Sequence, residues 1–238
     1  LNDIEKYVEH NPYSLLAKAP YAACGRRVLR LALGGLTRTE QEILHGMLKK
    51  QGAVSVEKVL DKQIDFAMEF IADGKGNIGF VGYSLFETNK KGAYMGNYIG
   101  AQKNIEAMLN DKIGIAVLNK IKKDLIRVLK EKYASLYKGC IGVDMMIYKD
   151  EKEENTLHPC VEINMRSNMG LLAFKISEKY VDKRAQGKFF IDFDVKEGDA
   201  YTKHLKMQEY YPPLFEDNKL LSGYLSLCPV NEKTHYRA

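Results

Sequence analysis

The sequence predicts an α+β fold in which helices are combined with antiparallel pairs of strands. Residues 63–86 contain two apolar segments joined by DGKGN, a turn sequence that is typical of a hairpin. The segments CIGVDMMIY and HPCVEINMR form a second pair around the charged turn KDEKEENT. Other stretches carry apolar residues at helical spacing, so we expect both kinds of element along the chain.

Composition and charge exclude several classes of function. The chain has 238 residues and is 45% hydrophobic, which suffices for one sizeable domain or two small lobes. It contains no apolar run close to the roughly 18 residues that cross a bilayer, so we expect a soluble protein without a membrane partner. The net charge of +5 is modest beside the concentrated basic faces of nucleic-acid-binding proteins, and we expect no nucleic-acid partner.

The cysteines favour a reducing compartment. Cys24, Cys140, Cys160 and Cys228 are scattered without a CxxC pair, and the first residues do not resemble a secretory leader. His158 lies two residues from Cys160, but a structural zinc usually needs four ligands in paired spacing. We therefore expect a cytoplasmic protein without a zinc site.

The first quarter of the chain predicts two helices and two strands. In order they are a helix in LNDIEKYVEH, a strand in SLLAKAP, a loop of small residues in YAACGRRV, a helix in TRTEQEILHGMLKKQG and a strand in AVSVEKVL. Thr37 or Thr39 is the expected cap of the second helix, because a hydroxyl can accept a hydrogen bond from a free backbone N–H. Gly52 is its expected end.

The rest of the chain predicts further strands and two helices. They are a hairpin in 63–86, a third strand in AYMGNYIG, one long helix from IEAMLNDK to VLKEKY, the strands CIGVDMMIY and HPCVEINMR, a final helix in LLAFKISEKYVDKR, and late strands in FFIDFDV and YLSLCPV. The basic run Lys120 to Lys132 keeps apolar residues at helical spacing, so its lysines are expected on the wet face of the long helix.

One of these strands directs polar groups to a single face. Successive side chains of a strand point to opposite sides, so Glu162, Asn164 and Arg166 share one surface. The alternate positions are apolar and are expected to pack inward: Val161, Ile163 and Met165.

A hairpin centred on Glu153 would place Asp144 opposite Glu162, with Asn164 diagonal to Asp144. Two carboxylates that face each other across strands repel unless a cation lies between them. Mg²⁺ suits such a site, because it takes oxygen ligands and keeps water or substrate phosphates in its other positions. The alternative is the wet face of an edge hairpin whose carboxylates pair with lysines.

The two strands together resemble a known motif. GCIGVDMM followed by VEINMRSNMG resembles the metal-binding hairpin of the ATP-grasp superfamily. The resemblance implies two α+β lobes with antiparallel sheets that grip a nucleotide between them. It further implies that Asp144, Glu162 and Asn164 hold Mg²⁺ and that Arg166 acts in catalysis at a phosphate or acyl-phosphate.

The resemblance extends upstream. SLLAKAP resembles the strand that carries the ATP-binding lysine, which makes Lys18 the ligand of the α- and β-phosphates and a second catalytic residue. YAACGRRV resembles the loop that closes over the phosphates, with Gly25 and Arg26 as nucleotide-binding residues. A lysine in a mainly apolar strand needs an explanation, since an unpaired buried charge is costly. An edge-strand lysine that reaches solvent is the alternative.

The segment AVSVEKVLDKQIDF resembles the strand and linker that pass the adenine and the ribose. Glu57, Val59 and Leu60 would belong to the hinge that reads the adenine edge. Asp65 would accept the ribose hydroxyls, and an exposed strand carboxylate is the alternative for this residue.

The resemblance implies a domain organisation. Residues 1–57 would form the small lobe with the lysine strand and phosphate loop, and residues 58–238 the large lobe with a C-terminal extension. The N-terminal domain of such enzymes precedes the lysine strand and is expected to be missing from this chain, where it would be a partner in forming the acceptor site. Residues 176–238 match no motif.

The resemblance implies an enzyme that uses ATP and Mg²⁺ as cofactors. It would activate a small-molecule carboxylate as an acyl-phosphate, which an amine or a thiol then attacks. The alternative is a non-catalytic nucleotide-binding or structural fragment of the same fold. A third possibility, a basic nucleic-acid-binding domain, depends on net charge alone, and a polyanion column at low salt tests it.

Overall fold

The structure, a computed structural model, describes residues 1–20, 28–89 and 92–238. The chain forms two compact units. One comprises Leu1–Asp61 and Thr88–Tyr94, and the other comprises Lys62–Glu87 and Met95–Ala238. The lobe limits given by the sequence, 1–57 and 58–238, stay a prediction. In the described part of the chain, no helix is both long and apolar enough to cross a lipid bilayer.

The first unit packs two helices on a three-stranded antiparallel sheet of order β2-β1-β3. Its elements are α1 (Asn2–Glu9), β1 (Leu15–Lys18), β2 (Val28–Leu31), α2 (Arg38–Gln51) and β3 (Ser55–Lys58). Thr37, not Thr39, caps α2, because it exchanges hydrogen bonds with Glu40 in a capping box. Gly52 ends α2 in the left-handed conformation, with φ of 75°.

The second unit is built on a six-stranded sheet of order β8-β7-β4-β5-β6-β9. The elements from β4 onward are β4 (Asp61–Asp73), β5 (Ile78–Thr88), β6 (Tyr94–Ile99), α3 (Gln102–Ile113), α4 (Ile115–Tyr133), β7 (Lys138–Lys149), β8 (Asn155–Asn164), α5 (Met169–Tyr180), β9 (Gly187–Phe189), β10 (Asp192–Phe193), α6 (Asp199–Tyr210), β11 (Leu214–Glu216), β12 (Lys219–Ser222) and β13 (Tyr236–Arg237). The pairs β4–β5, β7–β8 and β6–β9 are antiparallel. The predicted α+β fold with antiparallel sheets is confirmed.

One face of this sheet holds the main core. Alternate residues of β4 and β7, among them Phe66, Met68 and Val143, are buried against α3 and α4. Leu109 and Leu118 supply the helical side of the contact. This face is apolar throughout, so the polar residues of the same strands must lie on the opposite face.

The opposite face of the sheet packs against α5. A Cβ atom on Gly82 of β5 would lie 2.7 Å from the ring of Phe174, so the helix approaches the strand where the side chain is missing. Glu69 of β4 and Asp144 of β7 point to this side, because they alternate with the core residues. We call this side the acidic face, defined by Asp65, Glu69, Asp144, Glu162 and Asn164.

The hairpin of β7 and β8 has the register expected around Asp144, which lies opposite Glu162. Further toward the turn, Met146 lies opposite His158, so β8 carries two extra residues in a bulge that contains Pro159. An even number of extra residues keeps the same side chains on the same face along the whole hairpin. Pro is tolerated in a bulge because its missing N–H breaks no regular pairing there.

The expectation that Val161 and Ile163 pack inward is wrong. They are 41% and 39% exposed, although Ile163 lies opposite the buried Val143. The reason is that β8 is the outer strand of the sheet and the apolar core reaches only as far as Leu157 on this strand.

Four other predictions of secondary structure are corrected. The predicted long helix is two helices, because Gly114 at φ of 80° and ψ of 140° interrupts it between α3 and α4. LLAFKISEKYVDKR is not the final helix, since α6 follows it. YLSLCPV is not a strand, and FFIDFDV divides into β9 and β10. The strand β2 was not predicted, because the predicted loop YAACGRRV already included its first residue, Val28.

Candidate functional site

A pair of opposed carboxylates lies on the acidic face. Asp144 of β7 and Glu162 of β8 are direct cross-strand partners, and such partners bring their Cβ atoms to about 4.5–5.5 Å. Glu162 is exposed, whereas Asp144 is partly buried. The arrangement agrees with the prediction from hairpin symmetry. No lysine bridge to either carboxylate occurs among the described residues, which weakens the alternative of a wet, lysine-paired hairpin.

Asn164 and Arg166 extend this group by hydrogen bonds. Asn164 pairs with Gly142, is 7% exposed, and donates from Nδ2 to Asp144 Oδ2 over 3.0 Å. Its Oδ1 accepts from Arg166 Nη2 over 2.7 Å. The amide oxygen therefore faces the guanidinium and the amide nitrogen faces the carboxylate. For the oxygen to join Asp144 at a cation, the amide must turn over and Arg166 must release it.

Burial and like charge shift the protonation of Asp144. Burial, together with the neighbouring Glu162 and Asp65, raises the pKa of its carboxyl to about 7 against the lowering effect of Asn164 and Arg166. A divalent cation would stabilise the charged form, so the face is suited to one. In the described part of the chain no group of three His, Cys, Asp or Glu side chains is arranged to hold a metal ion. The donors would be two carboxylates, one amide and the oxygens of a ligand.

Glu69 is a site residue that the sequence prediction missed. It is 1% exposed on β4, and its Oε2 accepts from Asn168 Nδ2 over 2.8 Å. Its Oε1 has no hydrogen-bond partner among the described residues. Burial, with a smaller effect of the nearby Asp144, raises the pKa of Glu69 to about 7 against the lowering effect of the Asn168 hydrogen bond. The period-two pattern of β4 places Glu69 on the same side as Asp65, and this signal could have found it.

Asn168 connects this acid to a helix. Its Oδ1 caps α5 by accepting from the Leu171 N–H over 2.8 Å, while its Nδ2 binds Glu69. Two glycines make the contact close. A Cβ atom on Gly142 would lie 2.2 Å from Asn168 Nδ2, and one on Gly170 would lie 2.2 Å from Glu69 Oε1. The first turn of α5 thus packs directly on the acidic face.

In the first unit, Lys18 is held by an ion pair. Its Nζ lies 2.5 Å from Glu57 Oε2, across the antiparallel pair of β1 and β3. The lysine side chain is 28% exposed, so it is paired and partly covered and does not simply extend into solvent. Gly25 and Arg26 lie outside the described residues.

The predicted hinge connects β3 to β4. The N–H of Val59 donates to the Ser14 carbonyl over 2.8 Å, so it does not offer a free donor to an adenine ring. Leu60 is partly buried and lies next to it. Asp65 pairs with Lys62 Nζ over 2.6 Å, and its side chain is only 13% exposed. The alternative that Asp65 is an exposed strand carboxylate is therefore wrong, while its role at a ribose stays a prediction.

Comparisons with known proteins identify the fold. No protein-family model matches the sequence, and no curated protein gives a significant sequence match. Among solved structures, the chain is similar to the biotin carboxylase domain of Hydrogenobacter thermophilus 2-oxoglutarate carboxylase in complex with MgADP, ADP and bicarbonate. That match has a TM-score of 0.55 and 12% identity over 99% of this chain and 55% of the other.

A second similar structure is carboxyaminoimidazole ribonucleotide synthase from Aspergillus clavatus complexed with ATP. It has a TM-score of 0.53 and 17% identity over 98% of this chain and 59% of the other. Both are ATP-grasp enzymes, and the chain has the ATP-grasp fold, as its hairpin motif predicted. It spans somewhat more than half the length of these two proteins.

Proposed function

We propose that this chain binds Mg²⁺ and ATP and belongs to a ligase that activates a carboxylate as an acyl-phosphate. The observation that carries the proposal is the cross-strand pair of Asp144 and Glu162 beside Asn164, on a chain with the ATP-grasp fold. Repulsion between the two carboxylates and burial of Asp144 favour a bound cation. When bound, the cation would neutralise phosphate charge.

Each remaining residue has a defined task in this proposal. The Lys18 ammonium would bind the α- and β-phosphates, and Glu57 keeps it oriented through their ion pair. Arg166 would first release its hydrogen bond to Asn164 and then bind the transferred phosphoryl group. A planar guanidinium suits this task because it offers paired donors to phosphate oxygens. Gly25 and Arg26 are proposed to cover the phosphates.

The proposal places the adenine at the hinge and the ribose at Asp65. Since the Val59 N–H is engaged, the adenine edge would be read by other backbone groups of the hinge, with Val59 and Leu60 contributing apolar contact. Asp65 would have to exchange its contact with Lys62 for the ribose hydroxyls. Hydrogen bonds of that kind orient a nucleotide without taking part in phosphoryl transfer.

The chemistry requires two transfers. An oxygen of the substrate carboxylate attacks the γ-phosphorus, the bond to the β-phosphate oxygen breaks, and ADP leaves. An amine or thiol then attacks the acyl carbon, and phosphate leaves with the bonding electrons. Positioning and charge stabilisation dominate such transfers, so no Ser, Cys or His nucleophile is needed.

Calorimetry with Mg²⁺ and a non-hydrolysable ATP analogue tests the metal assignment. Asp144→Asn and Glu162→Gln should each lower affinity for the nucleotide at least about tenfold in Mg²⁺, since each removes a charged ligand. Glu154→Gln is the matched control, because Glu154 is an exposed carboxylate in the turn of the same hairpin. Equal affinity of the double variant and the parent would rule out this metal site.

A non-catalytic nucleotide-binding or structural fragment is the alternative. ADP release across pools of carboxylates with amines or thiols separates the two, because a protein that only binds the nucleotide releases none. The pools should be tested with a longer chain that includes the rest of the protein, if one exists, because this chain spans only part of its structural relatives.

A further inference from the structure

The buried acid beneath α5 has a specific contact that the proposed ligand set does not use. Glu69 is 1% exposed, yet its Oε2 is occupied by Asn168 Nδ2 at 2.8 Å. Gly170 lies directly above it, so neither oxygen is open to a ligand from outside. The Glu69 carboxyl is therefore placed to make contacts within the protein and not to bind a ligand.

Two features of the structure hold the start of α5 at Glu69. Asn168 directs an amide donor at Glu69 Oε2, and a carboxyl oxygen can accept that hydrogen bond in the neutral and in the charged form. Gly170, in the first turn of α5, lets the helix approach Glu69, because an added Cβ would lie 2.2 Å from Oε1. Both features fix the start of α5 against β4.

The same contact restrains the segment that carries Arg166. Asn164 ends β8 and is tied to Asp144, whereas Asn168 begins α5 and is tied to Glu69. Arg166 is the middle residue of this five-residue span. A short span with both ends fixed leaves its central backbone few conformations, and release of one end would free it.

We infer that Glu69 is a positioning residue, which anchors Asn168 and thereby sets the backbone that presents Arg166 to the transferred phosphate. The inference rests on the proposed function, because it assigns the anchor a role in the same site. It differs from a merely structural role in one respect: its effect on nucleotide binding passes through Arg166.

Two variants remove the hydrogen bond between Asn168 and Glu69, one by changing the acceptor and one by changing the donor. Glu69→Leu removes the acceptor and retains side-chain bulk. Asn168→Ser removes the amide donor but keeps an oxygen that can cap α5. Glu69→Gln is the conservative control, since its amide oxygen can still accept from Asn168. Hydrogen exchange of residues 165–172 should accelerate about tenfold in the first two and stay near the parent rate in the control.

A double-mutant cycle tests whether Glu69 and Asn168 affect nucleotide binding through Arg166. Arg166→Ala should lower affinity for the Mg²⁺–ATP analogue about tenfold, and Asn168→Ser should lower it several-fold. If Glu69 and Asn168 act through Arg166, Asn168→Ser has no further effect once Arg166 is gone. Glu69→Gln should retain the affinity of the parent.

The outcomes separate the inference from the function on which it rests. Unchanged exchange in residues 165–172 would show that the anchor does not hold this span and would overturn the inference. Additive losses in Asn168→Ser and Arg166→Ala would overturn the positioning role alone. A parent protein that binds no magnesium nucleotide would overturn the proposed function and with it the role of Arg166. Should Glu69→Leu fail to fold, Asn168→Ser still decides.

Discussion

At the residue scale, the acidic face contains one more buried carboxyl group than the hairpin motif indicates. Asp144 and Glu162 could be predicted because a hairpin with a symmetric turn fixes which residues are opposite. Glu69 could have been placed on the same face from its spacing to Asp65, but its burial could not be predicted. It depends on where α5 packs, and no local pattern encodes that contact.

Stability of the nucleotide-free protein should fall as pH rises from about 4.5 to 7. The pKa of Glu69 is raised from 4.5 to about 7 by burial, so in this range the folded protein holds a proton that the unfolded chain has lost. A shift of this size corresponds to roughly 3 kcal/mol at most. Glu69→Gln should reduce the loss, measured by urea unfolding at pH 5 and pH 8 with EDTA present.

Some pH dependence should remain in that variant, because the pKa of Asp144 is also raised to about 7 by burial and Glu162. Glu178→Gln serves as a control, since it removes an exposed carboxylate of α5 that pairs with Lys175. If Glu69→Gln loses as much stability as the parent between pH 5 and pH 8, the buried acid does not govern this range.

At the element scale, α5 packs closely on the sheet because three glycines leave room for the side chains that make the contact. Gly82 makes room for Phe174, Gly142 for Asn168, and Gly170 for Glu69. Sequence periodicity predicted α5 and most strands, because these elements follow local patterns. It failed where one residue interrupts a pattern, as Gly114 does between α3 and α4.

Gly170→Ala should destabilise the protein although alanine favours helices. The added Cβ would lie 2.2 Å from Glu69 Oε1 and 2.6 Å from Ser84 Oγ, so one of these buried groups must move. Overpacking of this kind costs about 1–3 kcal/mol. Urea unfolding at pH 7 measures it.

Gly46→Ala in α2 is the matched control for helix propensity. No heavy atom lies within 4 Å of its added Cβ, so this change should stabilise α2 by about 0.5–1 kcal/mol. A Gly170→Ala protein that gained as much as the Gly46→Ala protein would show that α5 does not rest on Glu69.

At the scale of the whole molecule, strand order brings together residues that are distant in sequence. The order β8-β7-β4-β5 puts Glu69 of β4 beside β7, whose Asp144 follows 75 positions later in the chain. The hairpins were predictable because each forms between neighbouring segments. The insertion of β4 and β5 next to the later hairpin was not, because it depends on contacts between distant parts of the chain.

Magnesium nucleotide should stabilise the whole chain, and removal of the metal should abolish the effect. At 100 times its dissociation constant, a ligand adds roughly 2.7 kcal/mol of stability, which is a rise in Tm of about 5–10 °C at this size. With EDTA, the phosphates would meet Asp144 and Glu162 without a cation between them, so no rise is expected. An equal rise in EDTA, measured by calorimetric scanning, would contradict the metal site.

The bulge in β8 also bears on how the protein avoids self-association. Outer strands present free backbone groups that can pair with another chain. The exposed apolar side chains of Val161 and Ile163 would strengthen such an association. Pro159 withholds one donor, and the two surplus residues interrupt the regular ladder beside it. Although β8 is an outer strand of the sheet, it is therefore a poor template for the addition of further strands and for growth into fibres.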